Sequence, residues 1–139
     1  MNKKFQQIGY SINPSQTENP VWKYFSISNK INDSQIADFL LVDSKLSILF
    51  LSLEFYYQYP LYLKGKIEEF TRSSEYRNYP NRVLLCLNDS EDGNDFLTDI
   101  TMLCYNHEIK VLVGFSYEDI ANYLRSFKNI QNNPGFYLK

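Results

Sequence analysis

Two nearly unbroken apolar runs constrain this chain most: Leu49-Phe50-Leu51-Ser52-Leu53, and Arg82–Asn88 with its RVLLCLN pattern. A strand with one wet face alternates apolar and polar residues. A strand without alternation is covered on both faces, as in a sheet packed between helices. Lys110–Phe115 (KVLVGF) is a third run of the same kind. Helical patterns separate them. Leu63, Ile67 and Phe70 follow Pro60, whose missing N–H costs nothing at a first helical position. Phe96, Ile100, Leu103 and Cys104 form one apolar stripe, with Ser90 as its predicted cap. Ser116-Tyr117-Glu118-Asp119 resembles a capping box, and Ile120, Ala121, Leu124 and Phe127 continue its helix. Ahead of these, Ile36–Val42 and Leu46–Tyr57 are predicted strands joined by the turn Asp43-Ser44-Lys45 into a hairpin. Residues 71–81 are a predicted polar loop. Residues 1–20 are predicted to be an extended segment across the domain surface, with an apolar pair around Ile8 and Ile12, and Val21–Phe25 is a short aromatic piece. The order hairpin, helix, strand, helix, strand, helix predicts an α/β fold with a mixed sheet flanked by helices.

Length and charge limit what such a fold can do. At 139 residues the chain is one domain, or one domain and a short tail. No apolar run reaches the roughly 20 residues of a membrane span, so no membrane partner is expected. With 14 basic and 16 acidic residues, nucleic-acid contact would need a local patch. Two cysteines, Cys86 and Cys104, read as reduced core thiols. Lysines near Met1 are followed by no apolar stretch of a secretory signal, so the default location is intracellular. Aromatic residues are unusually abundant at 17%, which fits either a compositional bias or a surface that uses rings as contact points.

Candidate chemistry is sparse. Asp43 and Lys45 have the spacing of a metal-dependent nuclease pair, against the plain reading of a polar hairpin turn. An active nuclease using Asp38, Asp43 and Lys45 is one alternative. Asp38 sits inside a predicted strand, where an acid is either outward-facing or there for a reason. Asp89, Glu91, Asp92 and Asp95 crowd a helix start, where the helix dipole accounts for them without a metal. Cys104 and His107 lie three apart near a helix end with no further ligands nearby in sequence. No Gly-rich phosphate loop and no nucleophile elbow occurs. Tyr56, Tyr57, Tyr59 and Tyr62 cluster after the second strand, either as corner packing or as an aromatic surface for a peptide or a base. Lys64, Lys66, Arg72 and Arg77 form a candidate basic stripe, or else a solvated helix face. No catalytic residue, metal site or cofactor is assigned, and the residues point to a binding domain.

An ordered set of short pieces carries a resemblance over roughly residues 8–130. These are Asn19-Pro20, Ile36-Ala37-Asp38-Phe39, Leu49 to Tyr56, Tyr59-Pro60-Leu61-Tyr62-Leu63, Arg82-Val83-Leu84-Leu85, Phe115 to Asp119 and Tyr123-Leu124. The set resembles the central domain of the non-catalytic subunit of the XPF-type structure-specific endonuclease of nucleotide excision repair. The resemblance implies a restriction-endonuclease-like, XPF-like fold that is catalytically degenerate, a pseudonuclease. In the family's catalytic partner, an Asp on the first hairpin strand precedes a Glu-Arg-Lys triplet on the second. Asp38 matches that Asp. Leu49-Phe50-Leu51 match the triplet positions, allowing one inserted residue in the turn.

The resemblance further implies a groove that accepts a Gly-rich peptide of an XPA-type scaffold, formed here by Gln16, Asn19, Asp38, Phe50, Ser52, Phe55, Tyr59 and Tyr62. Asn19 and Asp38 would bond peptide backbone, and Phe55 and Tyr62 would supply aromatic walls. It implies a heterodimer with an XPF-type catalytic subunit, weak contact with single-stranded or branched DNA, and a nuclear location. A meiotic paralogue that binds branched DNA with an XPF-like partner is the second reading. Glu54 stands where the family often carries a basic residue, which makes the groove less positive. The expected organisation is an extended segment over 1–18, the XPF-nuclease-like central domain over 19–130, and a tail over 131–139. The family's helix-hairpin-helix domain is absent from these 139 residues.

Overall fold

A computed structural model describes residues 8–24 and 28–131. Six strands form one mixed sheet in the order β2-β1-β3-β4-β5-β6. They are β1 (Ile8–Ile12), β2 (Ser28–Ile31), β3 (Phe39–Leu41), β4 (Leu46–Ser52), β5 (Asn81–Leu87) and β6 (Lys110–Gly114). The helices are α1 (Leu53–Gln58), α2 (Tyr62–Thr71), α3 (Ser74–Asn78), α4 (Gly93–Tyr105) and α5 (Tyr117–Gln131). Two short 3-10 turns, Pro14–Gln16 and Pro20–Lys23, link β1 to β2.

The hairpin β3–β4 is antiparallel, as its sequence predicts, and closes over a turn where Lys45 takes φ 51°. β4, β5 and β6 run parallel, with Ser52 beside Leu87 and Leu87 beside Gly114. Their apolar runs are buried on both faces because each face has its own core. On one side Ile48, Leu85, Leu87, Ile120 and Leu124 pack under α5. On the other, Leu49, Leu51, Leu84 and Cys86 pack under α2 and α4 through Leu63, Ile67, Phe70, Ile100 and Cys104. Burial pushes both the Cys86 and Cys104 thiols up to about 12, so they stay protonated in the core.

Four expectations need correction. The predicted strand Leu46–Tyr57 ends at Ser52, whose hydroxyl accepts from the Phe55 N–H and starts α1. An apolar run cannot by itself tell a buried strand from a buried helical turn, and the capping side chain decides. The segment around Ile8 and Ile12 is extended but does not cross the surface. It is β1, inside the sheet between β2 and β3, with Tyr10 fully buried. The Tyr10 hydroxyl donates to the Leu124 carbonyl at 2.6 Å, which ties β1 to α5. The predicted loop 71–81 contains α3, held by Glu75, whose carboxylate accepts the Ile36 and Ala37 N–H groups. Finally, Ser90 closes the turn before α4 by accepting from the Asp92 N–H, and Asp92 itself is the N-cap. The Ser116 half of the capping box is present, accepting from the Asp119 N–H at 3.1 Å, while the Asp119 carboxylate reaches past the cap and accepts from the Phe115 N–H at 2.8 Å. Residues 132–139, most of the expected tail, lie outside the described residues. Among the described residues, no helix is long and apolar enough to cross a membrane.

Candidate binding surface at the carboxyl ends of the strands

Asp38 is the centre of the site. It precedes β3, and the antiparallel register of β3 and β4, with Phe39 beside Ile48, carries it alongside the middle of β4. Its side chain is 1% exposed, so every lone pair needs a protein partner. The carboxylate accepts from the Phe50 N–H at 2.7 Å and the Gln16 amide at 3.2 Å, and the Lys66 ammonium lies at 3.6 Å. Burial drives the Asp38 carboxyl above the ordinary aspartate range, and Lys66 and the hydrogen bonds oppose that rise.

Gln16 and Asn19 come to this acid on the two 3-10 turns. The Asn19 amide donates to the Gln16 side-chain oxygen at 2.9 Å, while its own oxygen caps Val21. The Trp22 indole holds the Gln16 carbonyl at 2.7 Å. On the other side, Phe55, Tyr59 and Tyr62 form a ring cluster with Phe55 at the centre, 4.9 Å from Tyr59 and 5.0 Å from Tyr62. Burial, then Asp38, then Glu69 push the Tyr62 hydroxyl up to about 12, so it remains a neutral donor. Tyr62 and Lys66 are one helical turn apart on α2, which joins the aromatic cluster to the acid. Ser52 donates to Asp89 at 2.7 Å, and Asp89 also accepts the Glu54 N–H at 2.9 Å.

Two sets of contacts result: Asn19, Gln16, Asp38 and Lys66 are joined by hydrogen bonds and an ion pair, and Tyr59, Tyr62, Phe55 and Ser52 by ring contacts and the Ser52 cap, with Tyr62 and Lys66 one turn apart on α2. Of the eight residues expected to line one groove, Gln16, Asn19 and Asp38 fall in the first set and Ser52, Phe55, Tyr59 and Tyr62 in the second. Phe50 joins the first through its backbone N–H, while its ring stacks on Tyr117 of α5 at 6.3 Å.

The expected basic stripe divides. Lys66 is engaged with Asp38, and Lys64, two residues earlier on the same helix, points away from it. Lys64, Arg72 and Arg77 are exposed. Asp43 and Lys45 are exposed in the hairpin turn. His107 closes the end of α4, its N–H donating to the Cys104 carbonyl. Among the described residues, no group of three or more His, Cys, Asp and Glu side chains is arranged to hold a metal ion. Two concavities lie away from the site. One of 280 Å³ is lined by Val113, Asp119, Asn122, Tyr123 and Ser126, and one of 610 Å³ by Tyr105, Asn106, Glu108, Ile109 and Lys110.

Sequence reasoning missed Lys66 as the partner of Asp38, because 28 positions separate them and only the packing of α2 brings them together. It also missed Asp89 as the acceptor for α1. The parallel register of β4 and β5 carries that signal, since it sets the residues after Leu87 beside Ser52.

Comparison with known proteins bears on the whole domain. Residues 9–134 match the family model described as the binding domain of DNA repair protein Ercc1 (rad10/Swi10). The DNA repair protein RAD10 of Saccharomyces cerevisiae is 31% identical over 121 residues, covering 81% of this chain and 53% of that protein. The DNA excision repair protein ERCC-1 of Arabidopsis thaliana is 28% identical, with 88% of this chain and 28% of that protein covered. The mating-type switching protein swi10 of Schizosaccharomyces pombe is 26% identical, with 87% and 46% covered. The chain thus spans about half the length, or less, of these relatives. Among solved structures, XPF from Aeropyrum pernix in complex with DNA superposes with a TM-score of 0.65 at 10% identity, covering 92% of this chain and 66% of that one. At that identity the likeness shows the fold, which is the nuclease-like mixed sheet expected. With the family model spanning nearly all of β1 to α5, the chain belongs to the Rad10/Ercc1 family of DNA repair binding domains.

Proposed function

We propose that this chain is a non-catalytic binding subunit of an XPF-type DNA repair endonuclease, and that the surface around Asp38 receives a short Gly-rich peptide of an XPA-type scaffold. Family membership supports the repair role, and the yeast and plant relatives are by name a DNA repair protein and a DNA excision repair protein. A nuclear site of action follows from the same role. The observation that carries the binding reading is the state of Asp38. Its carboxylate is enclosed and engaged by Phe50, Gln16 and Lys66, while the rings beside it are open to solvent. Leu49 and Leu51 are buried apolar side chains that can neither ligate a metal nor move a proton. A surface of fixed amide groups and exposed rings suits an extended backbone, with glycines allowing close approach.

Titration of the chain with a Gly-rich scaffold peptide, followed by amide NMR shifts, tests this. Shifts are expected at Asn19, Asp38, Ser52, Phe55 and Tyr62. Removing the central ring in Phe55→Ala should weaken binding by about 2 kcal/mol or more. Absence of shifts at millimolar peptide rejects the reading. DNA is assigned a weaker contact on α2 and α3 through Lys64, Arg72 and Arg77. Its affinity should fall steeply with added salt.

A further inference from the structure

The aromatic surface has an electrostatic border that specifies its ligand. From Tyr56 to Tyr62 the chain exposes Tyr57 (59%), Tyr59 (56%) and Leu61 (79%), with Phe55 at 39% beside them. Apolar exposure concentrated in so few residues marks a contact surface. α1 packs on α4 through rings: Tyr56 and Tyr57 lie 5.4 and 5.9 Å from Phe96. Asp99 lies one turn after Phe96 on α4, and Asp92 is the N-cap of that helix. The Asp99 charge reaches Tyr56, and the Asp89 charge reaches Tyr117. Glu54 stands on α1 itself, its carboxylate accepting only from the Gln58 amide among the described hydrogen bonds. No lysine or arginine occurs between Leu53 and Leu63, or between Val83 and Ile109. Lys66, at the far end of the surface, is engaged with Asp38. The chain as a whole is only −2, so this negative border is local.

We infer that the α1–α4 end of the surface binds a basic stretch of its peptide partner, with arginine or lysine side chains lying over Tyr57 and Tyr59 and their charged heads facing Glu54 and Asp99. The inference rests on the peptide-binding reading above and supplies the charge of the peptide. A ring face attracts a cation, and nearby carboxylates add to that attraction without needing a buried pair. The same border repels phosphate, so nucleic acid is excluded from this end. An acidic peptide is disfavoured for the same reason.

Three peptides with a shared triglycine centre, flanked by two Arg, two Gln or two Glu, separate the possibilities by titration at low salt. The Arg peptide should bind roughly tenfold or more tighter than the Glu peptide, with the Gln peptide between them and the gap narrowing as salt is raised. The double variant Glu54→Lys, Asp99→Lys changes two exposed side chains and should reverse the order. If the Glu peptide binds as well as the Arg peptide, the charge inference is overturned while the peptide reading stands. If none of the three binds at millimolar concentration, both fall. The comparison among peptides needs no variant, so it decides the question even if the double variant folds poorly.

Discussion

Asp38 shows how one residue can organise four segments. Its carboxylate joins the residues before β3 to the backbone of β4, to the 3-10 turn at Gln16 and to α2 at Lys66. Asp38→Ala would leave an N–H, an amide and an ammonium without their acceptor in a dry site. The expected loss is about 3–5 kcal/mol in urea unfolding, with Asp38→Asn costing less because it keeps an acceptor for Phe50. The pH dependence has a defined sign. Because the folded state holds the Asp38 proton more tightly than the unfolded chain, this group contributes most stability below the ordinary aspartate value of about 3.9. That contribution is lost as pH rises through Asp38's own, higher pKa. Lys66→Met removes the largest influence opposing the rise, so the Asp38 carboxyl carbon should titrate at higher pH by NMR. The cost of Lys66→Met should be about 3 kcal/mol at neutral pH and should shrink as Asp38 protonates in acid. Asp38 is legible in the sequence as an acid set in an apolar run, although it precedes β3 rather than lying inside it. Its partner is not, because Lys66 sits among other lysines and arginines on α2 and α3 and only tertiary packing singles it out.

Elements were legible where hydrophobic period and caps agreed, and misread where one was silent. β5, β6 and the helix behind the Ser116 box combine both signals. β4 was overextended because its apolar run continues into α1, and the only stop signal is the Ser52 hydroxyl. β2, Ser28–Ile31, has the sequence SNKI, with an exposed Ile31 (56%) and no period to mark an edge strand. The start of α1 depends on two acceptors, Ser52 and Asp89. Asp89→Ala should cost about 1 kcal/mol and speed hydrogen exchange at the Glu54 amide, without moving the rest of the sheet. Gly114, where β6 turns into α5, is a sharper test. A Cβ there would stand 2.9 Å from the Asp119 Cβ and 3.0 Å from the Ile120 Cδ1. Gly114→Ala should therefore destabilise by about 1–3 kcal/mol, because α5 must move off the sheet to admit the methyl group. A thermal melt would register it.

The whole molecule depends on where the domain is taken to begin. The family resemblance, whose first piece is Asn19-Pro20, places that boundary at Asn19, and the polar, turn-rich residues before it read as an extended segment. In the structure, β1 is the second strand of the sheet, counting from the edge at β2. It pairs parallel with β2 and antiparallel with β3. Tyr10 and Ile12 are buried in the same core as Phe39 and Leu124, and Tyr10 packs edge-on against Phe39 at 6.1 Å. Gln16, on the following turn, supplies one of the donors to Asp38. A chain starting at Asn19 would lose the neighbour of β2, expose the edge of β3, empty the Tyr10 site under α5 and take a hydrogen bond from a buried carboxylate. Each loss alone is a few kcal/mol, and a small domain has only about 5–15 in total. Such a chain is expected to lose near-UV circular dichroism and NMR dispersion, while a chain starting at Met1 keeps both. A well-dispersed spectrum from the Asn19 chain would show that β1 is an appendage and that the core under α5 closes without it.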